Sequence, residues 1–400
     1  MIMGQFRFTT AGESHGKGLV TIVEGMVAGL PMEAEYINKE LERRQAGYGR
    51  GLRMKIEKDK AEIISGVRCG LTIGSPIALL IPNLDWQNWQ EIMSVTPVEK
   101  ELEPITQPRP GHADLAGVTK YNLKDIRSIM ERASARETAA RVAAGAIAKS
   151  FLQKFGIVIR SHTLAICEHC LESDKTIDWE QVETSPVHCA DVGMGREMMT
   201  AIDKARADGD TLGGVFELVA IGVPVGLGSH VSWDRRLDGR IAQALMSINA
   251  VKGVEIGHGF ALAKLKGSQA HDIIEPNPSF AAAENEVVGQ PLPWCHATNR
   301  AGGIEGGMSN GEEIIIRAAV KPIATLTNPL PSLDLSNGEV VRAHRERSDV
   351  CVLPAAGVIG EAMLAIVLAD SCLEKFGGDS LNETLSNYNN YLRRIPSWQK

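Results

Sequence analysis

LKDIRSIMERASARETAARVAAGAIAKSFLQKF, residues 123–155, is the longest helical stretch in the chain and predicts a single helix. Alanine is the strongest helix former, and the run from Ala133 through Ala148 also favours close packing against neighbours. Glu137 and Arg141 stand four residues apart, the spacing of an ion pair on one helix face. Arg132 and Arg136 are one turn apart in a helix whose remaining residues ask for burial. Buried guanidinium groups require acidic partners or a bound anion.

Outward from this stretch, residues 31–44 read as a helix, with Pro31 near the first turn and Gly47 past the end. Residues 238–247 and 358–376 read as two more. Residues 350–368 are apolar, but Pro354, Gly357, Gly360 and Glu361 interrupt them. They are expected as a buried strand, turn and helix, not a membrane span. The first 30 residues alternate around a Gly-rich break, with a strand at 19–23. Further strands are expected at 75–83, 156–159, 215–221 and 313–320, and a strand, turn and strand at 55–67 around Gly66. Strands and helices mix without regular alternation, which predicts an α+β fold in one continuous domain over residues 1–400.

The chain has 400 residues, 44% hydrophobic and 23% charged, with a net charge of -7. That acidic balance argues against a nucleic-acid binder, which needs surplus Lys and Arg, and few aromatics are present to stack on bases. Polar residues occur from the start of 1–8, so no signal peptide is expected. Seven scattered cysteines predict reduced thiols and a cytoplasmic setting. Cys167, His169, Cys170, His188 and Cys189 are zinc-ligand types. Their irregular spacing favours an ordinary surface region, and no metal site is assigned.

Chemistry concentrates in four places. Gly12-Glu13-Ser14-His15-Gly16 fits the G-x-S-x-G nucleophile elbow, but almost no chain precedes it to build an oxyanion hole. It also approaches a phosphate-binding P-loop, yet Ala11 replaces the opening glycine and Gly18 follows Lys17 in place of Ser or Thr. What remains is His15 in a Gly-flanked turn, able to move a proton near neutral pH. Next, RRQAGYGRGLRMK (43–55) brings five basic residues into a Gly-broken loop, a pattern suited to a small polyanion. RPGHAD (109–114) presents a second histidine in a rigid turn, just before the arginines of ERASARET (131–138). Last, NRAGGIEGGMSNG (299–311) offers backbone amides to a flat or anionic ligand. KPIAT (321–325) follows a strand, and RERSD (345–349) sets a carboxylate among arginines. No G-x-G-x-x-G occurs, so a Rossmann nucleotide site is not supported.

GESHG, RRQAGYGR with RMKIEKD, RPGHAD, ERASARET, RLDGRIAQALMSINAVKGVEIG, NRAGGIEGGMSNGE, KPIAT and RSD together resemble the chorismate synthase family from end to end. The resemblance implies a β-α-β sandwich, usually a homotetramer. It also implies a lyase that eliminates phosphate and the C6 proton from 5-enolpyruvylshikimate 3-phosphate, using reduced FMN with no net redox change. Carried over by motif, His15 protonates the departing phosphate, His112 manages flavin protonation and Asp349 helps relay the substrate proton. Arg44, Arg50 and Arg53 bind substrate anions, and the family links the first two to NADP. The FMN positions are Arg132, Ala133, Ser134, Asn249, Ala250, Gly306, Lys321, Pro322, Ile323, Ala324, Thr325 and Arg347. KPIAT has fewer hydroxyls than the Ser/Thr-rich family versions, leaving more of the contact to its backbone. An external flavin reductase is expected, with NADPH at most an indirect source of electrons. The rival readings are an FMN-dependent oxidoreductase and an inactive flavin-binding homologue.

Overall fold

Two-residue alternation builds an N-terminal antiparallel hairpin, β1 (Arg7–Ala11) with β2 (Gly18–Glu24). Leu19, Thr21 and Val23 turn inward while Val20 and Ile22 face out, the period of a half-buried strand. The computed structural model describes residues 6–51, 56–171, 176–280 and 292–395. Helix α1 (Ala34–Gln45) buries Ile37, Leu41 and Arg44, positions i, i+4 and i+7 of one face. It begins later than expected, because Pro31 bridges to Leu71 and the Met32 N–H donates to the Gly70 carbonyl. Strands β3 (Glu62–Ser65) and β4 (Ile77–Pro82) complete a four-stranded antiparallel sheet, ordered β1-β2-β4-β3. The first strand expected within 55–67 is absent: residues 57–61 are irregular, and the Glu57 and Asp59 carboxylates turn inward to buried arginines.

The continuous helix expected over 123–155 is instead α3 (Arg127–Arg132) and α4 (Thr138–Gln153), following α2 (Asp114–Tyr121). Ser134 adopts extended backbone and accepts the Arg136 N–H, capping a short 3-10 turn over Ala135–Glu137. A side chain that competes for backbone donors favours a cap over a helix interior, and here it overrides the alanine propensity around it. Residues 123–126 precede the helix, with the Asp125 carboxylate accepting the Arg127 N–H.

A second antiparallel sheet comprises β5 (Val158–Ile166), β6 (Gly214–Ile221), β7 (Val251–Ile256) and β8 (Ile314–Val320), ordered β7-β8-β6-β5. The two-residue strand His169–Cys170 lies beyond β5. Helix α5 (Val192–Asp208) packs near that end, and α6 (Leu237–Met246) packs beside β7. Helix α7 (Leu353–Phe376) lies between the layers, against α4 on one side and β5 and β6 on the other, and α8 (Leu381–Leu392) covers its end. The architecture is a β-α-β sandwich of α+β class. One apolar cluster runs through both sheets and the helices between them.

Helix α7 is the one described helix long and apolar enough to cross a membrane, and it is buried inside the protein. Of the strand and turn expected ahead of residue 358, residues 350–352 are irregular and the rest is already helix from Leu353, with Pro354 in the first turn. Gly357 and Gly360 stay within the helix because the sheet comes close: an added Cβ would lie 2.7 Å from Ser161 Oγ or 2.6 Å from a Phe216 ring carbon. Helix α4 approaches α7 equally closely at Gly145, where an added Cβ would stand 2.6 Å from the Ala362 Cα. Gly145→Ala should therefore lower stability by about 1–3 kcal/mol from overpacking. The opposing gain in helix propensity is about 1 kcal/mol. Denaturation midpoints of the two proteins give the sign.

One charged group is sealed between these layers. Glu361 on α7 is fully buried, accepting a bidentate pair from Arg43 at 2.7 and 3.0 Å. Lys149 Nζ and Ser161 Oγ each donate to it at 2.7 Å. Burial pushes this carboxyl up, but the Lys149 ammonium and the Arg43 guanidinium outweigh that and hold it well below the usual range. Arg43, read from sequence as part of an anion-binding loop, is thus a structural cation.

All seven cysteines are free thiols. Cys189 is in the core, Cys167 and Cys170 are exposed, and His169 faces Glu197. Among the described residues, no group of three or more His, Cys, Asp or Glu side chains is placed to hold a metal.

Candidate active site

The break between α3 and α4 opens onto a cavity of about 490 Å³. Its walls come from the β1–β2 turn, the loop after α1, RPGHAD, the segment before β7, KPIAT, RERSD and the first turns of α7. Seven Lys and Arg side chains (Arg44, Arg50, Arg109, Arg136, Lys252, Lys321, Arg347) line it against three acids, Glu131, Glu346 and Asp349. In a protein of net charge -7, that excess marks a site for anions. Part of the lining is apolar, including Ile248, Val251, Val352, Ala355, Ala356 and Ile359.

His15 sits at the tip of the β1–β2 turn. Gly12 permits that turn, with φ +107° and no room for a Cβ against the Gly18 carbonyl. The His15 ring stacks on Trp89 at 3.9 Å between centroids, and its Nδ1 lies 2.9 Å from Glu131 Oε1. Its backbone N–H donates to Glu131 Oε2 at 2.7 Å. Ser14 and Ser134 share a hydrogen bond of 3.0 Å, which ties the turn to the helix break.

His112 Nδ1 is 2.5 Å from Asp114 Oδ1, and Asp114 also accepts from Arg109 Nε at 2.8 Å. Burial opposes the charged form of Asp114. Hydrogen bonds from His112 and Arg109 prevail and hold its carboxyl well below the usual range. An ionised Asp114 accepts a hydrogen bond from Nδ1–H, which leaves Nε2 to carry the lone pair of the neutral His112 ring. Arg109 Nη1 reaches Thr325 Oγ1 at 2.9 Å, and Lys321 Nζ donates to the Gly111 carbonyl, so RPGHAD and KPIAT form one unit.

Asp349 pairs with Arg50 at 3.2 Å and accepts the Gly51 N–H at 2.5 Å. Arg44 lines the wall with its guanidinium donating to Thr138 Oγ1, the Ala135 carbonyl and Asp59. Burial, with Arg50 and Arg136 nearby, pushes its pKa down to about 10 in spite of Asp59. Arg136, also read from sequence as needing an anion, finds Asp59 and Glu57 inside the protein. Asn249 donates to the Ala133 carbonyl at 3.0 Å. Ala250 holds φ +68°, a region that favours glycine, and its carbonyl accepts the Lys321 N–H. Backbone held this way costs on the order of 1–3 kcal/mol and clusters at functional sites.

The cavity thus brings together His15, His112, Asp349, Arg44, Arg50, Ala133, Ser134, Asn249, Ala250, Lys321–Thr325 and Arg347. Two expected positions are elsewhere. Arg132 is turned to the carbonyls of Thr10 and Gly12 and fixes the β1–β2 turn. Gly306 lies in the hairpin of Ile304–Glu305 and Met308–Ser309, off the cavity wall. Arg53 falls outside the described residues. Sequence reasoning missed Trp89, and also Asp85, which accepts from both Trp89 and Arg347. It quoted Glu131 in ERASARET without giving it a task. The signal available for Glu131 was a carboxylate in the helix turn that also carries the arginines.

A family model described as chorismate synthase matches residues 6–373. The chain is similar to the chorismate synthase of Moorella thermoacetica, 56% identical, covering 97% of this chain and 100% of that one. It is 51% identical to that of Aquifex aeolicus, over 100% of both. Its fold matches a crystal structure of chorismate synthase with TM-score 0.76 and 43% identity, over 98% of each chain. Sequence and fold agree, and the chain belongs to the chorismate synthase family.

Proposed function

We propose that this cavity removes phosphate from C3 and the proton from C6 of 5-enolpyruvylshikimate 3-phosphate, giving chorismate, with reduced FMN bound beside the substrate. As a family member the chain is a lyase of aromatic amino-acid biosynthesis. The observation that carries the reading is the surplus of cations around two carboxylate-held histidines. Substrate phosphate and two carboxylates, with the FMN phosphate, are the anions such a wall would neutralise.

The residues fit FMN by donor chemistry. Ala133, Ser134, Asn249, Ala250, Lys321–Thr325 and Arg347 would hold it, beside the apolar part of the lining, which suits a flat ring. Reduced FMN, when bound, supplies electron density that eases phosphate loss and is not consumed. His15 delivers a proton from Nε2 to the departing phosphate, its Nδ1 being occupied by Glu131. His112, its ring held by Asp114, would offer Nε2 to hold or release a proton beside the bound cofactor. Asp349 helps take up the C6 proton, held in place by Arg50 and the Gly51 N–H. Arg44 and Arg50 supply positive charge to the substrate side.

The same reading takes the enzyme as a cytoplasmic homotetramer that depends on an external flavin reductase. Val20 and Ile22, 37% and 42% exposed on the outer face of the first sheet, are apolar surface that a second copy would cover. The test is an anaerobic assay with chemically reduced FMN and substrate, following chorismate and phosphate together. Equal appearance of both, without loss of reduced flavin, is the expected result. No chorismate from a folded, FMN-binding protein would overturn it, and steady NADPH consumption with a reduced product, when NADPH is supplied instead, would indicate an oxidoreductase. With oxidised FMN and NADPH as sole reductant, no chorismate is expected; its formation would remove the external reductase.

A further inference from the structure

We infer that Glu131 is a positioning residue for the reaction: its carboxylate, with the Trp89 face, fixes the His15 ring with hydrogen on Nδ1 and directs Nε2 to proton delivery. The inference rests on the general-acid role given to His15 above. Glu131 is tied to the His15 turn by three bonds. Its backbone carbonyl accepts the Ser14 N–H at 3.0 Å. Its carboxylate accepts the His15 N–H at 2.7 Å and faces His15 Nδ1 at 2.9 and 3.1 Å. The side chain is 2% exposed, and Arg127 Nη1 is 3.6 Å away on the same helix. Trp89 closes the other side: the His15 ring stacks on it, and the Arg127 guanidinium lies 5.2 Å from the Trp89 ring centroid. Ring plane and ring rotation are therefore both set, one by stacking and the other by the carboxylate.

The chemistry of the two donors makes this specific. A backbone N–H can only donate, and here it occupies one carboxylate oxygen. Both oxygens lie within reach of Nδ1 and an ionised carboxylate can only accept, so Nδ1 carries hydrogen in the charged ring and in the neutral ring left after proton delivery. An amide at position 131 replaces one of the two acceptor oxygens with an NH₂ that only donates, and Oε1 is the oxygen closer to Nδ1, at 2.9 Å against 3.1 Å for Oε2. When the remaining oxygen serves the His15 N–H, the amide NH₂ faces Nδ1, which must then accept. The neutral ring then keeps its hydrogen on Nε2, and a neutral imidazole is a far weaker acid than imidazolium. A carboxylate that selects a histidine tautomer in this way is a general device of proton-transfer sites.

The test pairs kinetics with nitrogen NMR on full-length protein labelled with ¹⁵N-histidine, the His15 signal being assigned with His15→Gln. In the parent chain the neutral ring should show hydrogen on Nδ1, and in Glu131→Gln on Nε2. Glu131→Gln should lower kcat at least about tenfold while KM and FMN affinity stay within about twofold. Glu131→Asp keeps both acceptors on a shorter arm, and should retain the Nδ1 hydrogen and recover part of kcat. It also carries the test if the Gln variant does not fold. An unchanged tautomer in Glu131→Gln, or an unchanged kcat where His15→Ala is slow, overturns the inference. If His15→Ala itself turns over normally, the general-acid reading falls and the inference falls with it.

Discussion

His15→Ala will keep its affinity for FMN and substrate and turn over about 10²–10⁴ times more slowly, the factor a positioned acid contributes. Binding survives because the cations of the cavity belong to other residues, from Arg44 and Arg50 to Lys321 and Arg347. What is lost is delivery of a proton to a poor leaving group. The cavity left by the ring is bounded by Trp89 and Glu131, neither of which presents an acidic nitrogen in its place. The check is a single-turnover measurement of chorismate formation with reduced FMN, beside equilibrium binding of each ligand. Unchanged turnover would remove His15 from the chemistry.

Glu361→Gln will destabilise the folded chain by about 3–5 kcal/mol, the range for taking one partner from a buried ion pair. The amide leaves Arg43 and Lys149 facing each other, with Glu40 between them and the exposed Glu183 3.9 Å from Arg43 as the remaining acids. The effect depends on pH in a definite direction. The folded carboxyl titrates well below the unfolded value of about 4.3. Its stabilisation is therefore complete above that value and is lost as pH falls through the folded pKa. The parent chain and Glu361→Gln should differ most at neutral pH, and their urea midpoints should converge in strong acid. Equal midpoints at pH 7 would show that the buried cluster contributes little.

The regular elements were legible wherever periodicity or propensity acted alone. Strands near 215–221 and 313–320 and the helix near 238–247 lie within a residue or two of expectation. Two of the departures occurred where a polar side chain had a distant partner. Ser134 breaks an alanine-rich helix because its hydroxyl serves Arg136 and faces Ser14 across 120 residues. Glu57 and Asp59 abolish a strand because Arg136 and Arg44 need them. The site followed the same division. Motif order located His15, His112 and Asp349, which do converge on one cavity. The division of the arginines was hidden: Arg43 turns to Glu361, Arg44 to Asp59, and Arg50 to Asp349. Neighbours in sequence on a helix point to different sides, and which side holds an anion is decided by chain far away.

The buried position of α7 also sets the order in which the molecule can be made. Both sheets are complete by Val320, yet the helix that fills the space between α4 and the second sheet runs from Leu353 to Phe376. A nascent chain therefore leaves the ribosome with the inner face of the second sheet and the facing side of α4 uncovered, awaiting a segment translated after both sheets. Such late, long-range closure slows folding and leaves sticky intermediates. Chaperone demand during synthesis, and steep loss of soluble protein on truncation before Leu353, follow from the placement of this one helix.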